Sequence, residues 1–397
     1  MVLCCESIVY LKVMLNMPGI DKKRIVIFGA YGGMNCGDEA ILSSILQMLE
    51  EVGLKRSQVI VASYNPEHTK VAHRVTSVIT SRNLVQLSTE LKTSIKCCDL
   101  VVIGGGQIIL DSCRFPNPWT SLLAKAGMVC KYAKNCNKRV FLWGIGVENV
   151  KSIYAKHSLA ILRKADIVTV RDDWSFEILH SYGFCYLHLV ADPAFTLSNG
   201  DCRRGDYILK SNCLHNVNVK AKKIALALTH TPGGKFWNIA EITKLVRQLR
   251  LRDITVFFVA SEVRDGFDIE IARKIGSKNV NIVKPKYYNE QELADMMSSF
   301  DVLIASRMHC IIMSVLSDVK VIPIITSPKM KELAKKLKIP NVFSVDFNPS
   351  QIYSVLLDYL DESNRYPTKR IRKQVTNMAQ EARLAAKYLL QCLQGIQ

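Results

Sequence analysis

The sequence predicts a two-domain α/β protein with mainly parallel sheets, and three observations support this fold class. The chain has 397 residues, more than one hydrophobic core usually organises. From Arg24 onward, short β-branched runs alternate with stretches of helical periodicity, which is typical of βαβ units. A polar stretch rich in Asn and Lys at residues 198–222 interrupts this alternation and marks the expected domain boundary.

These boundaries divide the chain into five parts. We predict an amino-terminal extension at residues 1–23, a first α/β domain at 24–197, a linker at 198–222, a second α/β domain at 223–348, and carboxy-terminal helices at 349–397. Residues 1–17 carry Glu6 and Lys12 within an apolar run, and they lack a signal-peptide cleavage pattern. We expect them to add little to the fold, and Met17 is an alternative start.

The two predicted domains have the same alternating pattern. In the first, a strand at Ile25–Phe28 leads through a glycine-rich turn into a helix at Ala40–Val52, whose apolar side chains form one stripe. Further strands are predicted at Val59–Ala62, Leu100–Ile103, Val140–Trp143, Ile167–Val170 and Leu187–Val190. The second domain has predicted strands at Ile224–Leu228, Thr255–Ala260, Val280–Ile282, Val302–Ala305 and Val321–Ile325. A last helix at about Ile371–Leu393 has an apolar face that requires a partner surface.

Composition excludes several classes of protein. With 49% hydrophobic and 22% charged residues, the chain is neither disordered nor fibrous. Its 13 cysteines include no CxxC pair and no zinc-ligand spacing, so we predict no metal site. Free cysteines within apolar runs indicate a reducing compartment, and hence a cytoplasmic protein.

The chain is strongly basic, with a formal net charge of +18. A nucleic acid, an anionic lipid surface or an anionic substrate would each fit such a charge. No nucleic-acid-binding motif accompanies it, so we expect no specific nucleic acid partner. A non-enzymatic basic binding module remains one alternative, and peripheral contact with a membrane is left open.

The first candidate motif is Gly29-Ala30-Tyr31-Gly32-Gly33-Met34-Asn35-Cys36-Gly37-Asp38-Glu39-Ala40. Glycines 32, 33 and 37 would let backbone N–H groups approach a ligand, and the helix amino end favours an anion. Asp38 is either an acid–base residue or a helix cap. The pattern matches neither the Walker loop nor G-x-G-x-x-G, which disfavours ATP and NAD.

The second motif, Gly104-Gly105-Gly106, is followed five residues later by Asp111. Three glycines after a buried strand indicate close approach of the backbone to a ligand or to a neighbouring segment. Asp111 has two equally weighted interpretations, as a catalytic base or hydroxyl acceptor and as a capping carboxylate.

Basic residues follow three other strands. Arg171 is suited to bind phosphate or carboxylate, or else to pair with Asp172 or Asp173, while Asp192 is expected in a structural turn. Ser306-Arg307-Met308-His309 supplies a cation and a proton donor in one turn. Lys329 follows the last strand, either as a further cation at the same edge or as a solvated lysine at the start of a helix.

Taken in order, these segments resemble the polysaccharide pyruvyl transferase family. The family's GYYG-x-x-N-x-GDEA-like opening corresponds to Gly29–Ala40, and its GGG-x-x-x-x-D segment to Gly104–Asp111. Its glycine pair corresponds to Gly144 and Gly146. The RD-x-x-S, D-P and S-R-x-H segments and a lysine follow as Arg171–Ser175, Asp192-Pro193, Ser306–His309 and Lys329. Ala30, Cys36, Cys310 and the Ile325–Pro328 stretch depart from the family's pattern.

The resemblance implies two Rossmann-like domains in a GT-B-like arrangement with a cleft between them, and phosphoenolpyruvate as donor substrate. A pyruvyl group would pass to hydroxyls of a sugar or glycan acceptor, which could be lipid-linked, with release of phosphate and no cofactor. The donor is anionic, so Arg171, Arg307 and Lys329 would hold it. His309 would transfer a proton, and Asp38 or Asp111 would orient or deprotonate the acceptor hydroxyl.

Two further expectations follow from this assignment. Gly29–Gly37, Gly104–Gly106 and Ser306–His309 would line the cleft, and Arg307→Ala and His309→Ala would both keep wild-type melting. A sugar-nucleotide-dependent glycosyltransferase with a GT-B fold remains the competing enzyme. The sequence leaves the acceptor and the oligomeric state open.

Overall fold

The computed structural model describes residues 19–33, 35–81, 86–111, 121–148, 150–212, 221–229, 237–262, 267–276, 280–283, 289–361 and 366–396. Its described residues form two compact units. The first unit holds the chain up to Gly33, Ile41–Pro193 and the chain from Glu381 onward. The second holds residues 35–40 and Ala194–Gln380. Residues 1–18 of the predicted extension at residues 1–23 lie outside the described residues.

The first unit is built on a seven-stranded sheet in which neighbouring strands are parallel. Its order is β3-β2-β1-β4-β5-β6-β7, so the chain reverses its direction of growth between β1 and β4. Doubly wound sheets of this order bind ligands at that reversal, beyond the carboxyl ends of the strands. The strands are β1 (Ile25–Phe28), β2 (Val59–Ser63), β3 (Thr76–Ile79), β4 (Leu100–Leu110), β5 (Arg139–Glu148), β6 (Ile167–Val170) and β7 (Leu187–Leu189).

The second unit repeats this topology with six parallel strands in the order β10-β9-β8-β11-β12-β13. Its reversal lies between β8 and β11, which pair from Ile224 with Val302 to Ala227 with Ala305. The strands are β8 (Lys223–Ala227), β9 (Thr255–Val259), β10 (Asn281–Val283), β11 (Val302–Ala305), β12 (Lys320–Ile325) and β13 (Phe343–Ser344).

Helices connect successive strands, as parallel pairing requires. In chain order, the helices that connect the strands of the first sheet are Cys36–Glu51, Pro66–His73, Thr89–Cys97, Leu122–Asn135, Ile153–Leu162 and Asp173–Ser181. The remaining helices are Cys202–Asn212, Ile239–Arg250, Phe267–Ile275, Glu290–Ser298, Met308–Leu316, Pro328–Lys336, Pro349–Leu360 and Thr368–Gln394.

The α/β class and the parallel sheets confirm the fold prediction, but two strands are longer than expected. The sequence predicts that β4 ends before its three glycines and β5 before Gly144. In the structure both strands continue through these glycines and pair as far as Leu110 with Glu148. The pairing shifts register after Gly106, which shows how the ladder accommodates the glycine run.

The predicted linker at residues 198–222 requires a correction. It contains the helix Cys202–Asn212, which belongs to the second unit. Gly205 allows this helix to pack closely, because a Cβ atom there would lie 2.0 Å from the backbone oxygen of Asp295. The polar composition that indicated a linker is that of a helix with a solvated face; residues 213–220 lie outside the described part.

The last helix, predicted at Ile371–Leu393, is found at Thr368–Gln394. Its residues up to Gln380 are grouped with the second unit and those from Glu381 onward with the first. Its apolar face completes one of the first unit's cores, where Ala385, Leu389 and Leu393 pack with residues of β1, β2 and the Cys36–Glu51 helix. The predicted partner surface of this stripe is therefore found.

Candidate functional site

The second unit contains a short docked segment, Asn35–Gly37. Asn35 forms an isolated antiparallel bridge with Glu262, and the Cys36 amide donates to the Ser261 carbonyl oxygen at 3.1 Å. The Asn35 side chain also accepts a hydrogen bond from the Gly37 amide at 2.8 Å, which is the contact of a helix N-cap. Asn35 and Cys36 are therefore tied to the segment that follows β9.

Arg307 follows β11 at the carboxyl edge of the same sheet and is held by two carboxylates. Its Nη1 atom lies 2.8 Å from Glu262 Oε2, and its Nη2 atom lies 2.6 Å from Asp268 Oδ1. The Asp268 side chain is fully buried, and the Glu262 side chain is 18% exposed. The planar guanidinium fork is thus fixed in direction by charge-assisted bonds.

Burial and charge act together on this cluster. Burial raises the pKa of Asp268 above its ordinary value, although the neighbouring Arg307 opposes this shift. Burial also lowers the pKa of Arg307, but the charges of Asp268 and Glu262 outweigh it, so that the pKa lies above its usual range. Arg307 is therefore a permanent cation, and removing it would leave a buried carboxyl group without its counter-ion.

His309 lies in the first turn of the Met308–Leu316 helix, against the backbone of Gly37. A Cβ atom at Gly37 would lie 2.3 Å from His309 Nδ1 and 2.8 Å from Cγ, too close for any side chain. Glycine is thus required at position 37 because the imidazole occupies the space beside it. Gly37 and His309, which are 272 positions apart in the sequence, therefore meet within one unit.

The two cysteines beside this contact are inert. Cys36 and Cys310 are fully buried, and burial raises the pKa of Cys310 to about 12 and that of Cys36 well above its usual range. Both therefore remain neutral thiols that pack as small apolar groups. These two departures from the family's pattern leave the polar contacts of the site intact.

Three other candidates lie at the same edge of the second sheet. Ser306, which follows β11, accepts a hydrogen bond from the Thr229 amide at 2.9 Å and so fastens the end of β8. Lys329 is half-buried in the first turn of the Pro328–Lys336 helix, after β12. Asp38 is half-buried in the first turn of the Cys36–Glu51 helix, where a carboxylate is favoured by the helix dipole.

The glycine turns of the first unit approach neighbouring protein segments. The Tyr31 hydroxyl donates to the Gly104 carbonyl oxygen, and a Cβ atom at Gly105 would lie 2.2 Å from Ile41 Cγ2. Gly104 has φ +145°, and a Cβ atom there would lie 2.4 Å from the Trp143 carbonyl oxygen. Of the two alternatives for these glycines, the described contacts match close approach by a neighbouring segment. Gly106 lies within β4, and Gly33 is buried in the same turn as Gly32.

Arg171 is a second buried arginine, in the first unit. Its Nη1 atom lies 2.6 Å from Asp192 Oδ2, and the two side chains are 3% and 6% exposed. A Cβ atom at Gly146 would lie 2.9 Å from Arg171 Nη2, so this glycine makes room for the guanidinium. The sequence analysis proposed Asp172 or Asp173 as its partner. Asp172 lies 3.8 Å from Nε and mainly caps the next helix through the Ser175 amide.

Asp111 is a capping residue by its contacts. Its carboxylate accepts from the Lys151 amide at 2.8 Å, from the Ser152 hydroxyl at 2.8 Å and from the Ser152 amide at 2.5 Å. Burial raises the pKa of Asp111, but these bonds outweigh it and place the pKa below its ordinary value. The carboxylate thus fixes the start of the Ile153–Leu162 helix, and a low pKa makes it a weak base.

The predicted residues therefore fall into groups. Asn35, Gly37, Arg307 and His309 are brought together within the second unit. Gly32, Gly104, Gly105 and Gly106, with Arg171 and Asp111, belong to the first unit. Glu262 and Asp268, which hold Arg307, were not predicted from the sequence. Glu262 comes three residues after β9, and such an acid beyond a strand end is the signal that could have indicated it.

Among the described residues, no group of three or more His, Cys, Asp and Glu side chains could hold a metal ion. No described helix combines the length and the hydrophobicity needed to cross a membrane.

The fold is that of GT-B-like proteins with two Rossmann-like domains. Anabaena HepE, solved in complex with UDP, matches with a TM-score of 0.60 at 11% identity over 94% of this chain and 100% of its own. A glycosyltransferase from Rickettsia africae matches with a TM-score of 0.59 at 13% identity, over 94% and 98% of the two chains. UDP-GlcNAc 2-epimerase from Neisseria meningitidis, bound to UDP-GlcNAc, gives 0.58 at 10% identity, over 94% and 100%. The cleft between the domains stays a prediction.

The family is defined by sequence. Residues 35–328 match the family model of the polysaccharide pyruvyl transferases, from the Asn35 bridge to the helix that carries Lys329. The chain belongs to the polysaccharide pyruvyl transferase family, a family of transferases, which confirms the resemblance. No curated protein sequence matches it significantly.

Proposed function

We propose that this protein transfers a pyruvyl group from phosphoenolpyruvate to hydroxyl groups of a sugar or glycan acceptor, forming a ketal and releasing phosphate. The observation that carries this proposal is the contact of His309 with Gly37 beside an Arg307 fixed by two carboxylates. This arrangement lies at the carboxyl edge of a doubly wound sheet, where such folds bind ligands.

The chemistry requires a proton donor beside a cation. The donor's methylene carbon gains a proton and becomes a methyl group, while an acceptor hydroxyl adds to the neighbouring carbon and loses its proton. The bond from that carbon to the phosphate oxygen then breaks, phosphate leaves, and a second hydroxyl adds with loss of its proton to close the ketal. The two acceptor hydroxyls lose two protons in total. One of them balances the proton taken up by the methylene carbon, and the other leaves with phosphate.

Each residue has a proposed part in these steps. His309 moves the proton, because an imidazole nitrogen can both donate and accept one. Arg307 and Lys329 bind the donor's carboxylate and phosphate, and Glu262 and Asp268 act as positioning residues that orient the Arg307 fork. Asp38 is the preferred candidate to orient the acceptor hydroxyl, since the contacts of Asp111 are those of a cap. The role of Arg171 in donor binding stays a prediction.

The first test replaces His309. We expect His309→Ala to lower turnover by about 10²–10⁴-fold, the usual contribution of proton transfer by a side chain, with a smaller effect on donor binding. The exposed His157, in another unit, provides the control His157→Ala. Phosphate release with phosphoenolpyruvate and a panel of acceptor sugars gives the rate, and the new methyl signal in NMR identifies the ketal. Near-normal turnover of His309→Ala would make the histidine structural.

The second test replaces Arg307 and corrects the expectation of wild-type melting. Because Arg307 neutralises the fully buried Asp268, Arg307→Ala is expected to cost about 3–5 kcal/mol of folding stability. Combining Arg307→Met with Asp268→Asn removes the buried charge as well and should restore most of the melting temperature. This double variant should still bind phosphoenolpyruvate roughly ten- to hundredfold more weakly in calorimetry.

Arg372 serves as the control for that experiment. It makes an exposed 2.6 Å pair with Asp318, so Arg372→Ala should leave the melting temperature nearly unchanged and donor binding unaffected. Wild-type donor affinity in the double variant would contradict the assigned role of Arg307.

The competing function is transfer or epimerisation of a nucleotide sugar. The solved structures with the same fold include one in complex with UDP and one bound to UDP-GlcNAc, and this supports testing such ligands. Titration with UDP-GlcNAc beside phosphoenolpyruvate separates the two. Saturable binding of the nucleotide sugar alone, without phosphate release from phosphoenolpyruvate, would favour the alternative.

A further inference from the structure

Lys125 is a buried cation in the first unit that none of the steps above uses. It lies in the helix Leu122–Asn135, and only 5% of the residue is exposed. Among the described residues its ammonium group has no carboxylate partner and no hydrogen-bond acceptor. Its ammonium group lies over the ring of Tyr64, whose centroid is 5.0 Å from Nζ.

The position of Lys125 near the amino end of its helix is unfavourable for its positive charge. The helix begins at Leu122, after the N-cap Ser121, so that Lys125 stands where the first turn is completed. Its amide makes the first i to i−4 bond, to the Ser121 carbonyl oxygen at 3.1 Å. No acidic residue occurs in this first turn. The positive end of the helix dipole therefore repels the lysine.

Burial acts in the same direction as the dipole. It lowers the pKa of Lys125, because a desolvated ammonium group without an anion is less stable than one in water. Attraction to the Tyr64 ring offsets this only in part. A buried cation that its own fold disfavours is therefore suited to bind an anion supplied from outside.

Tyr64 places this cation at the ligand-binding edge of the first sheet. It follows β2 directly, is 38% exposed, and donates its amide to the Tyr31 carbonyl oxygen at 3.0 Å. Gly32 of the same glycine turn lies against Ser63 and Asn65, on either side of Tyr64. The Lys125–Tyr64 pair is thus continuous with the Gly29–Gly33 turn, beyond the carboxyl end of β1.

We propose that Lys125, the ring of Tyr64 and the amino end of the Leu122–Asn135 helix form an anion-binding subsite for a phosphate or carboxylate group of a substrate. Such a group could belong to phosphoenolpyruvate or to an anionic acceptor, for example the diphosphate of a carrier-linked sugar. The ammonium group and the helix end would both attract it. The subsite does not depend on pyruvyl transfer.

The test uses the full chain and measures binding by calorimetry at constant ionic strength. Phosphoenolpyruvate and inorganic pyrophosphate are the two probes, standing for the donor and for an acceptor diphosphate. Lys125→Met keeps the length of the side chain and removes the charge, and Lys125→Arg restores the charge. Lys131→Met is the matched control, since Lys131 is an exposed lysine of the same helix. We expect Lys125→Met to bind at least one probe roughly ten- to hundredfold more weakly.

Each outcome either identifies which substrate supplies the bound anion or contradicts the proposed subsite. Weakened phosphoenolpyruvate binding assigns the subsite to the donor, and weakened pyrophosphate binding assigns it to the acceptor's anion. Wild-type affinity of Lys125→Met for both probes, or an equal loss in Lys131→Met, would overturn the proposal.

Folding and function are controlled separately. Melting of Lys125→Met without ligand should be unchanged or higher, because an unfavourable buried charge is removed. Should that variant fail to fold, Tyr64→Leu at a part-exposed position provides the same binding test, with a severalfold loss expected and wild-type affinity as the contrary result. A protein that binds pyrophosphate through Lys125 but releases no phosphate from phosphoenolpyruvate would refute the proposed function alone.

Discussion

At the scale of single residues, two arginines are set in place by carboxylates from other segments of the chain. The buried Arg171 is paired with Asp192, and the partly buried Arg307 with Glu262 and Asp268. Glycines make room for functional side chains in both units, Gly146 for Arg171 and Gly37 for His309. An arginine that must present one edge to a ligand gains precision when its other edge is fixed in this way.

The glycine at position 37 can be tested directly. We expect Gly37→Ala to displace the His309 ring, because its Cβ atom would lie 2.3 Å from Nδ1. Turnover should fall at least as much as a misplaced catalytic group implies, about 10²-fold, while the protein stays folded. The measurement is phosphate release together with melting.

Gly127→Ala is the control for this substitution. Gly127 lies inside the Leu122–Asn135 helix, and its added Cβ atom would meet Ser158 at an ordinary 3.6 Å. Because alanine is the better helix former, stability should rise by up to about 1 kcal/mol with turnover unchanged. Normal turnover in Gly37→Ala would show that the ring can move without loss of function.

At the scale of elements, the ends of strands and the starts of helices carry most of the polar contacts. Ser121, Ser152 and Asp172 are N-caps, each accepting from the amide three residues later. At the helix that starts after Ser152, the carboxylate of Asp111 reinforces the serine cap by accepting from the Ser152 amide and hydroxyl. In the sequence, a capping carboxylate looks the same as a catalytic carboxylate, since both kinds of residue follow a strand and precede a helix.

The capping role of Asp111 predicts a pH-dependent effect. Its folded pKa lies below the unfolded value, so the stabilisation is fully present above about pH 4 and is lost as pH falls through the folded pKa. Asp111→Asn should therefore cost about 0.5–1 kcal/mol at pH 7, the lower part of the range for a cap because solvent screens the carboxylate, and progressively less in acid. Thermal unfolding of the wild-type protein and of Asp111→Asn, at pH values from about 2.5 to about 7, measures the difference in stability.

Turnover separates the two interpretations of Asp111. With the capping role, folded Asp111→Asn keeps wild-type turnover. A hundredfold loss of turnover without any loss of stability would instead identify Asp111 as the base.

At the scale of the whole molecule, segments distant in sequence complete each unit. Residues 35–40 belong with the second sheet, and the chain from Glu381 onward belongs with the first. The last helix packs Ala385 and Leu389 into a core formed by β1, β2 and the Cys36–Glu51 helix. An ion pair between Arg383 and Glu51 lies beside this contact at 3.0 Å.

This packing predicts different effects for two leucines of one helix. Leu389 is fully buried, so Leu389→Ala should lower the free energy of unfolding by about 2–5 kcal/mol. Leu384 is 40% exposed, and Leu384→Ala should change it by no more than about 0.5 kcal/mol. Chemical denaturation of both variants gives the comparison. Equal effects would mean that the helix end does not contribute to the core.

The sequence by itself determined the α/β class, most strand positions and the family. These depend on local signals, since β-branched runs, helical stripes and glycine turns are set by neighbours in the chain. Ile167–Val170 and Val302–Ala305 are predicted at the bounds observed. The predicted ends of β4 and β5 were wrong because glycine is a turn signal in sequence, whereas parallel neighbours here keep the glycines in the ladder.

Only the tertiary structure decided which side chains meet. Glu262 and Asp268 hold Arg307, and Asp192 rather than Asp173 holds Arg171. In each case the partner follows a different strand of the arginine's own sheet, and Asp268 lies in the helix after β9. Lys125 had no sequence signal, since a lysine in a helix is ordinarily solvated and only packing shows that it is buried. Sheet order, which no local pattern encodes, brings such residues together, and charge and burial then determine what they can bind.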